Sequence, residues 1–88
     1  MGVKKLDELM NLVGELVKVV KKVAEDGRVS IRTTRRDGID HVKRLEAEKK
    51  ISEDERHQAQ EEIQKLTDRN IRAIDQASES KEKELLAP

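Results

Sequence analysis

The chain has 88 residues, of which 43% are charged and 34% hydrophobic, and its formal net charge is zero. It contains no Cys, Phe, Trp or Tyr, which excludes disulfide bonds, thiolate metal sites and an aromatic core. No apolar run approaches the roughly 20 residues that span a bilayer, and acidic residues interrupt the first apolar stretch, unlike a signal peptide. The composition favours a single helical domain, residues 1–88, with a thin aliphatic core and a cytoplasmic location.

The first predicted element is a long amphipathic helix over residues 4–47. Its apolar side chains keep a 3–4 spacing: Leu6, Leu9, Met10, Val13, Leu16, Val17, Val20, Val23, Ala24, Ile31, Val42 and Leu45. At about 100° per residue these positions share one side of the helix. Gly27 could end a helix, but the apolar phase continues through it, so we predict a continuous or gently kinked helix.

The second predicted helix covers residues 52–86 and follows a turn at 48–51. Ser52 is a favourable N-cap, and Glu55 stands at the third helical position, which completes a capping box. Its apolar stripe has heptad spacing: Ala59, Ile63, Leu66, Asn70, Ala73 and Ala77. In that stripe Asn70 has two interpretations, a buried residue that fixes helix register or a residue facing solvent.

The short connection makes the two helices antiparallel neighbours, so the predicted fold is all-α, a long helical hairpin. A lone hairpin leaves much of each apolar stripe in water. We therefore expect a second copy to complete the core as a homodimeric four-helix bundle. The alternative is a break near Gly27, which would give a monomeric three-helix bundle.

Four arginines are concentrated in the stretch "RVSIRTTRR": Arg28, Arg32, Arg35 and Arg36. On a helix they fall within an arc of about 100°, roughly a quarter-turn from the apolar stripe. We call this set the arginine ridge. No acidic residue lies among positions 28–36, although Asp37 and Asp40 follow and could neutralise part of the charge.

The arginine ridge has two interpretations. A charged helix face is often a solvated surface with ion pairs along the helix. However, all four residues are arginine, and a guanidinium group can form two parallel hydrogen bonds to one phosphate. The second hypothesis is therefore that the ridge binds RNA or another polyanion. Without aromatic side chains to stack on bases, such binding would read phosphates and shape rather than base identity.

Nothing in the pattern predicts catalysis, a metal or a cofactor. His41 and His57 have no second His or Cys at ligand spacing. No catalytic triad or phosphate-binding glycine loop is present, and a thin bundle offers no enclosed cleft for a small-molecule substrate. The chain is therefore predicted not to be an enzyme.

From about residue 15 to residue 86 the chain resembles the bacterial ribosome recycling factors. The stretches that carry the resemblance occur in order: "ELVKVVKKVAEDGRVSIRTTRRDGIDHVKRLE", "EKKISEDE", "IQKLTDRNI" and "KEKELL". The resemblance implies the second and third long helices of a three-helix domain that acts between ribosomal subunits after termination. It also implies contact with large-subunit ribosomal RNA through Arg28, Arg32, Arg35 and Arg36.

The chain departs from the family pattern in several places. Thr33 stands where the family usually has Asn, and Asn70 where it often has an aromatic residue. The family's first long helix and small β domain are not among these 88 residues. Residues 4–17, "KKLDELMNLVGELV", instead resemble the dimerisation helix of chemotaxis histidine kinases. The alternative function is thus an engineered or chimeric helical scaffold without recycling activity.

Overall fold

Two long helices make up the computed structural model, which describes residues 2–87. Helix α1 is Gly2–Ala47 and helix α2 is Glu53–Leu86. They form an extended hairpin with principal dimensions of 73 × 17 × 9 Å. The predicted all-α antiparallel hairpin is confirmed. The alternative break near Gly27 is wrong, because α1 continues through that residue without interruption.

The turn between the helices ends α1 with a left-handed residue. Lys49 has a φ of 62°, and its amide donates to the carbonyl of Glu46. The amide of Lys50 donates to the carbonyl of Leu45 at 2.9 Å. This is the Schellman pattern, in which glycine is the usual left-handed residue.

Helix α2 begins with the predicted capping box, which is confirmed. The Glu55 amide donates to the Ser52 hydroxyl at 3.1 Å, and the Ser52 amide donates to the Glu55 carboxylate at 3.0 Å. Close by, Arg56 of α2 forms an ion pair with Glu46 of α1. These contacts satisfy the first backbone donors of α2 and tie its start to the end of α1.

Two glycines of α1 lie where α2 approaches most closely. A Cβ added at Gly27 would lie 3.1 Å from the Ile74 side chain, and one added at Gly38 would lie 3.4 Å from Ile63. These pairs fix an antiparallel register in which position 27 faces 74 and position 38 faces 63. In this register α2 ends beside Gly14, so roughly the first dozen residues of α1 extend beyond it.

The core of this hairpin is thin. Among residues 2–87 the buried apolar side chains are Ala24 and Val42, and Thr67 is the buried polar one. The Thr67 hydroxyl donates to the Ile63 carbonyl at 2.7 Å, so its burial leaves no unpaired donor.

The heptad stripe predicted on α2 is only partly covered. Ile63 is half-buried, whereas Leu66 is 50% exposed and Asn70 is exposed. In the single hairpin Asn70 thus has the solvent-facing position. A single neighbouring helix covers only one edge of a heptad stripe, and the other edge needs a second neighbour.

Two open hollows lie between the two helices, and together we call them the apolar groove. Among the residues that line them are, on α1, Val19, Val23, Gly27, Ser30, Thr34 and Arg35 and, on α2, Leu66, Asn70, Ala77 and Lys81. Neither helix, over the described residues, is long and apolar enough to span a membrane.

Candidate nucleic-acid interface

The arginine ridge lies on α1 midway along the hairpin, and the helical repeat divides it into two pairs. Arg28 and Arg35 are seven residues apart and therefore occupy the same heptad position, beside α2. Arg32 and Arg36 are turned further from α2. Thr34, in the apolar groove, is two residues from each of them and so faces nearly the opposite way.

Arg28 is engaged by two carboxylates. Its Nε donates to Asp75 of α2 at 2.7 Å, and its Nη1 donates to Glu25 at 3.2 Å. The hydrogen bond to Asp75 raises the pKa of Arg28; partial burial opposes the rise and the bond to Glu25 adds to it. Its side chain is only 23% exposed. Arg28 is thus a charged contact between the two helices.

Arg35 is held by a neutral partner. Its Nε donates to the side-chain oxygen of Gln64 at 2.7 Å, and the Gln64 amide donates to Asp68 at 2.9 Å. The Nη atoms of Arg35 make no hydrogen bond within residues 2–87. This guanidinium is therefore oriented by α2, while its charge is not neutralised by direct contact with an acid.

Arg32 and Arg36 are the accessible members of the ridge. The Arg32 guanidinium lies 3.7 Å from Glu25 and its side chain is 55% exposed, an arrangement that contributes little to stability. Arg36 is exposed and takes part in no ion pair in the described part of the chain. Both side chains are accessible to solvent, and Arg36 has no carboxylate within ion-pair distance in residues 2–87.

The acids that form ion pairs with the ridge are not those that follow it in sequence. Within the described residues, Asp37 and Asp40 form no ion pair with the arginines, and their partial neutralisation of the ridge stays a prediction. Glu25 and Asp75 do form such pairs. Glu25 stands three and seven residues before Arg28 and Arg32, a spacing that could have revealed it. Asp75 could be found only from the register between the helices.

Thr33, the residue at the departure from the family pattern, bonds to its own helix. Its hydroxyl donates to the Val29 carbonyl at 3.0 Å, and Thr34 makes the same bond to Ser30. Both hydroxyl protons are used within the helix. These two hydroxyl groups therefore have no free proton to donate to an anion.

The described region contains no cluster of side chains suited to binding a metal ion. No group of three His, Cys, Asp or Glu side chains there is placed to hold an ion. His57 lies 3.9 Å from Glu53 and both are exposed. The arrangement that remains is a line of guanidiniums on an open helical face, which suits a polyanion.

Comparisons with known proteins identify close relatives. The family model described as "Ribosome recycling factor" matches residues 12–86. A ribosome-recycling factor of Chloroflexus aurantiacus is 55% identical over 73 residues, which are 83% of this chain and 40% of the relative. One from Heliobacterium modesticaldum is 58% identical over 72 residues, 82% of this chain and 39% of the relative.

A third relative, the ribosome-recycling factor of a Synechococcus species, is 58% identical over 71 residues, 81% of this chain and 39% of the relative. The chain thus spans about two fifths of the length of the curated relatives it matches. These matches do not show the similarity of residues 4–17 to a histidine kinase, which stays a prediction. The family match itself reaches into that stretch, to residue 12.

Proposed function

The chain belongs to the ribosome recycling factor family, and from that premise we propose that it binds ribosomal RNA of the large subunit during termination and recycling. The arginine ridge is the proposed contact, and the role is binding rather than catalysis. It would act in the cytoplasm, where ribosomes work. The observation that carries the proposal is the uninterrupted α1, which keeps all four guanidiniums on one side of the hairpin.

The four arginines have different roles in this proposal. Arg32 and Arg36 contact phosphates directly, because they are exposed and neither is held by α2. Arg35 contributes its Nη atoms while Gln64 fixes its orientation. Arg28 holds α1 to α2 through Asp75 and supports the ridge. Guanidinium–phosphate contacts are salt-sensitive and do not depend on base identity.

The test is binding of the chain to large ribosomal subunits as salt is varied. We expect the Arg32→Gln/Arg36→Gln variant to bind at least tenfold more weakly. Its slope of log affinity against log salt should be smaller by roughly 1.5, since two phosphate contacts are lost. The matched control is Lys18→Gln/Lys22→Gln, which removes the same charge at the same spacing elsewhere on α1. Equal losses in both variants would overturn the assignment of the ridge.

The alternative function, an engineered or chimeric scaffold, predicts a stable hairpin that does not bind ribosomal subunits at any salt concentration. The matches above do not support it, since the family model covers residues 12–86 continuously. A second copy of the chain, the other expected partner, would lie along the apolar groove. Arg32 and Arg36 face away from that groove, whereas Arg35 lies at its edge, so a second copy would leave Arg32 and Arg36 free to contact RNA.

A further inference from the structure

The surface area of the hairpin is large for its mass. It exposes 7248 Å², whereas a folded monomer of 10.1 kDa is expected to expose about 5,300 Å². The excess is roughly 1,900 Å², and a stable interface needs about 800 Å² from each partner. The hairpin thus has ample area for one further interface.

Several exposed large apolar side chains lie together at one end of the hairpin. In the overhang of α1 beyond α2, Leu6 is 60% exposed, Leu9 is 61% exposed and Met10 is 68% exposed. Leu12 and Leu16 continue this surface at 52% and 42%. Contiguous exposed aliphatic side chains of this kind mark an interaction site.

Further along α1, the same apolar stripe is made of small residues and lines the apolar groove. Continuing at 3–4 spacing, the stripe passes from Val20 and Val23 to Gly27, Ser30 and Thr34, which line the apolar groove. Large side chains therefore occupy the first half of the stripe and small ones the second half. No charged residue interrupts the stripe between Leu6 and Thr34.

We infer that a second copy of this chain packs antiparallel along the apolar groove, with the two α1 helices in contact. We align the two antiparallel α1 helices so that the interface is centred between residues 21 and 22. In this register Leu16 faces Gly27 of the second copy and Leu9 faces Thr34 of the second copy. Val13 then faces Ser30, and Val20 faces Val23. In three of these four pairs a large side chain meets a small one, which lets the two helices interdigitate.

The antiparallel arrangement also lays the overhang of each copy on the second copy. When the two-fold axis of the dimer is perpendicular to the helices, the overhang of each copy packs on the middle of α1 of the other copy. A parallel pairing of the two α1 helices would instead set each residue against its own copy, Leu9 against Leu9 and Gly27 against Gly27, so that large side chains meet large ones and small meet small. The interface is isologous and therefore closes as a dimer. The inference does not depend on RNA binding.

The mass of the full chain in solution is the first test, measured by sedimentation over a wide concentration range. We expect twice 10.1 kDa for the parent chain and at least tenfold weaker association for Leu9→Glu. The matched control is Asn11→Glu, which adds the same charge on the opposite side of the overhang and should stay dimeric. Circular dichroism checks that all three remain helical.

Cross-linking tests the register, because the chain has no cysteine of its own. Under oxidation, Leu9→Cys/Thr34→Cys should form a covalent dimer, since paired cysteines need Cα atoms within about 7 Å. Leu9→Cys alone should not, since the two substituted positions would lie about 37 Å apart along the bundle. A monomeric parent chain, an unaffected Leu9→Glu dimer, or cross-linking by the single variant would each overturn the inference.

Discussion

At the scale of single residues, four arginines in one short stretch of sequence differ in what they contact. Arg28 is enclosed by Asp75 and Glu25, whereas Arg36 is exposed and, in residues 2–87, has no acidic partner within ion-pair distance. Replacing one or the other therefore has different consequences. We expect replacement of Arg28 to affect mainly the stability of the hairpin and replacement of Arg36 to affect mainly RNA binding.

Arg28→Gln should lower the thermal midpoint of the hairpin, because it removes a 2.7 Å charged hydrogen bond between the helices and leaves Asp75 without its partner. Arg36→Gln should leave the midpoint unchanged and weaken binding to ribosomal subunits. Melts and subunit titrations of both variants measure the two effects. Equal midpoints for the two variants would contradict the division.

At the scale of the elements, the helix ends and glycines determine how the hairpin is held together. The turn places a lysine in the left-handed region where glycine is preferred. Within α1, Gly27 and Gly38 permit close approach of α2, whereas Gly14 has no neighbouring atom within 4 Å of an added Cβ. Three glycines of one helix thus have two distinct roles.

Lys49→Gly should stabilise the hairpin by about 1 kcal/mol, because glycine adopts a φ of 62° without the steric cost that a side chain incurs. Chemical denaturation measures the change in unfolding free energy. Lys50→Gly is the control: Lys50 adjoins it in the turn, and no positive φ is found there. A gain for Lys50→Gly as large as for Lys49→Gly would contradict this account.

Gly14→Ala should stabilise α1 by up to about 1 kcal/mol, the difference in helix propensity, since nothing opposes the added methyl group. Gly27→Ala should gain less or lose stability, because its methyl group would approach Ile74 to 3.1 Å. Denaturation of the two variants, measured on Leu9→Glu chains to remove any effect of dimerisation, compares them directly. A larger gain at Gly27 would be inconsistent with the close approach.

At the scale of the whole molecule, the hairpin is one helix thick, 9 Å in its shortest dimension. Folded domains are built from at least two packed layers around a core. Here a single layer buries only Ala24 and Val42 among the described apolar residues. The proposed dimer would therefore supply much of the stability that a core otherwise provides.

The thermal midpoint of the parent chain should rise with protein concentration over a roughly hundredfold range, because dimerisation stabilises the folded state by mass action. For Leu9→Glu the midpoint should be lower and depend less on concentration. Circular dichroism melts measure both. A midpoint independent of concentration in the parent chain would show that the hairpin is stable alone.

The sequence by itself determined the features that depend on local repeat and local chemistry. The 3–4 spacing predicted α1 through Gly27, Ser52 and Glu55 predicted the start of α2, and the positions of four arginines predicted their common side. Only the tertiary structure decided that Arg28 contacts Asp75 and that Leu66 and Asn70 lie at an open edge. Those facts depend on the register and rotation of one helix against the other, which the close approaches at Gly27 and Gly38 fix across distant parts of the chain.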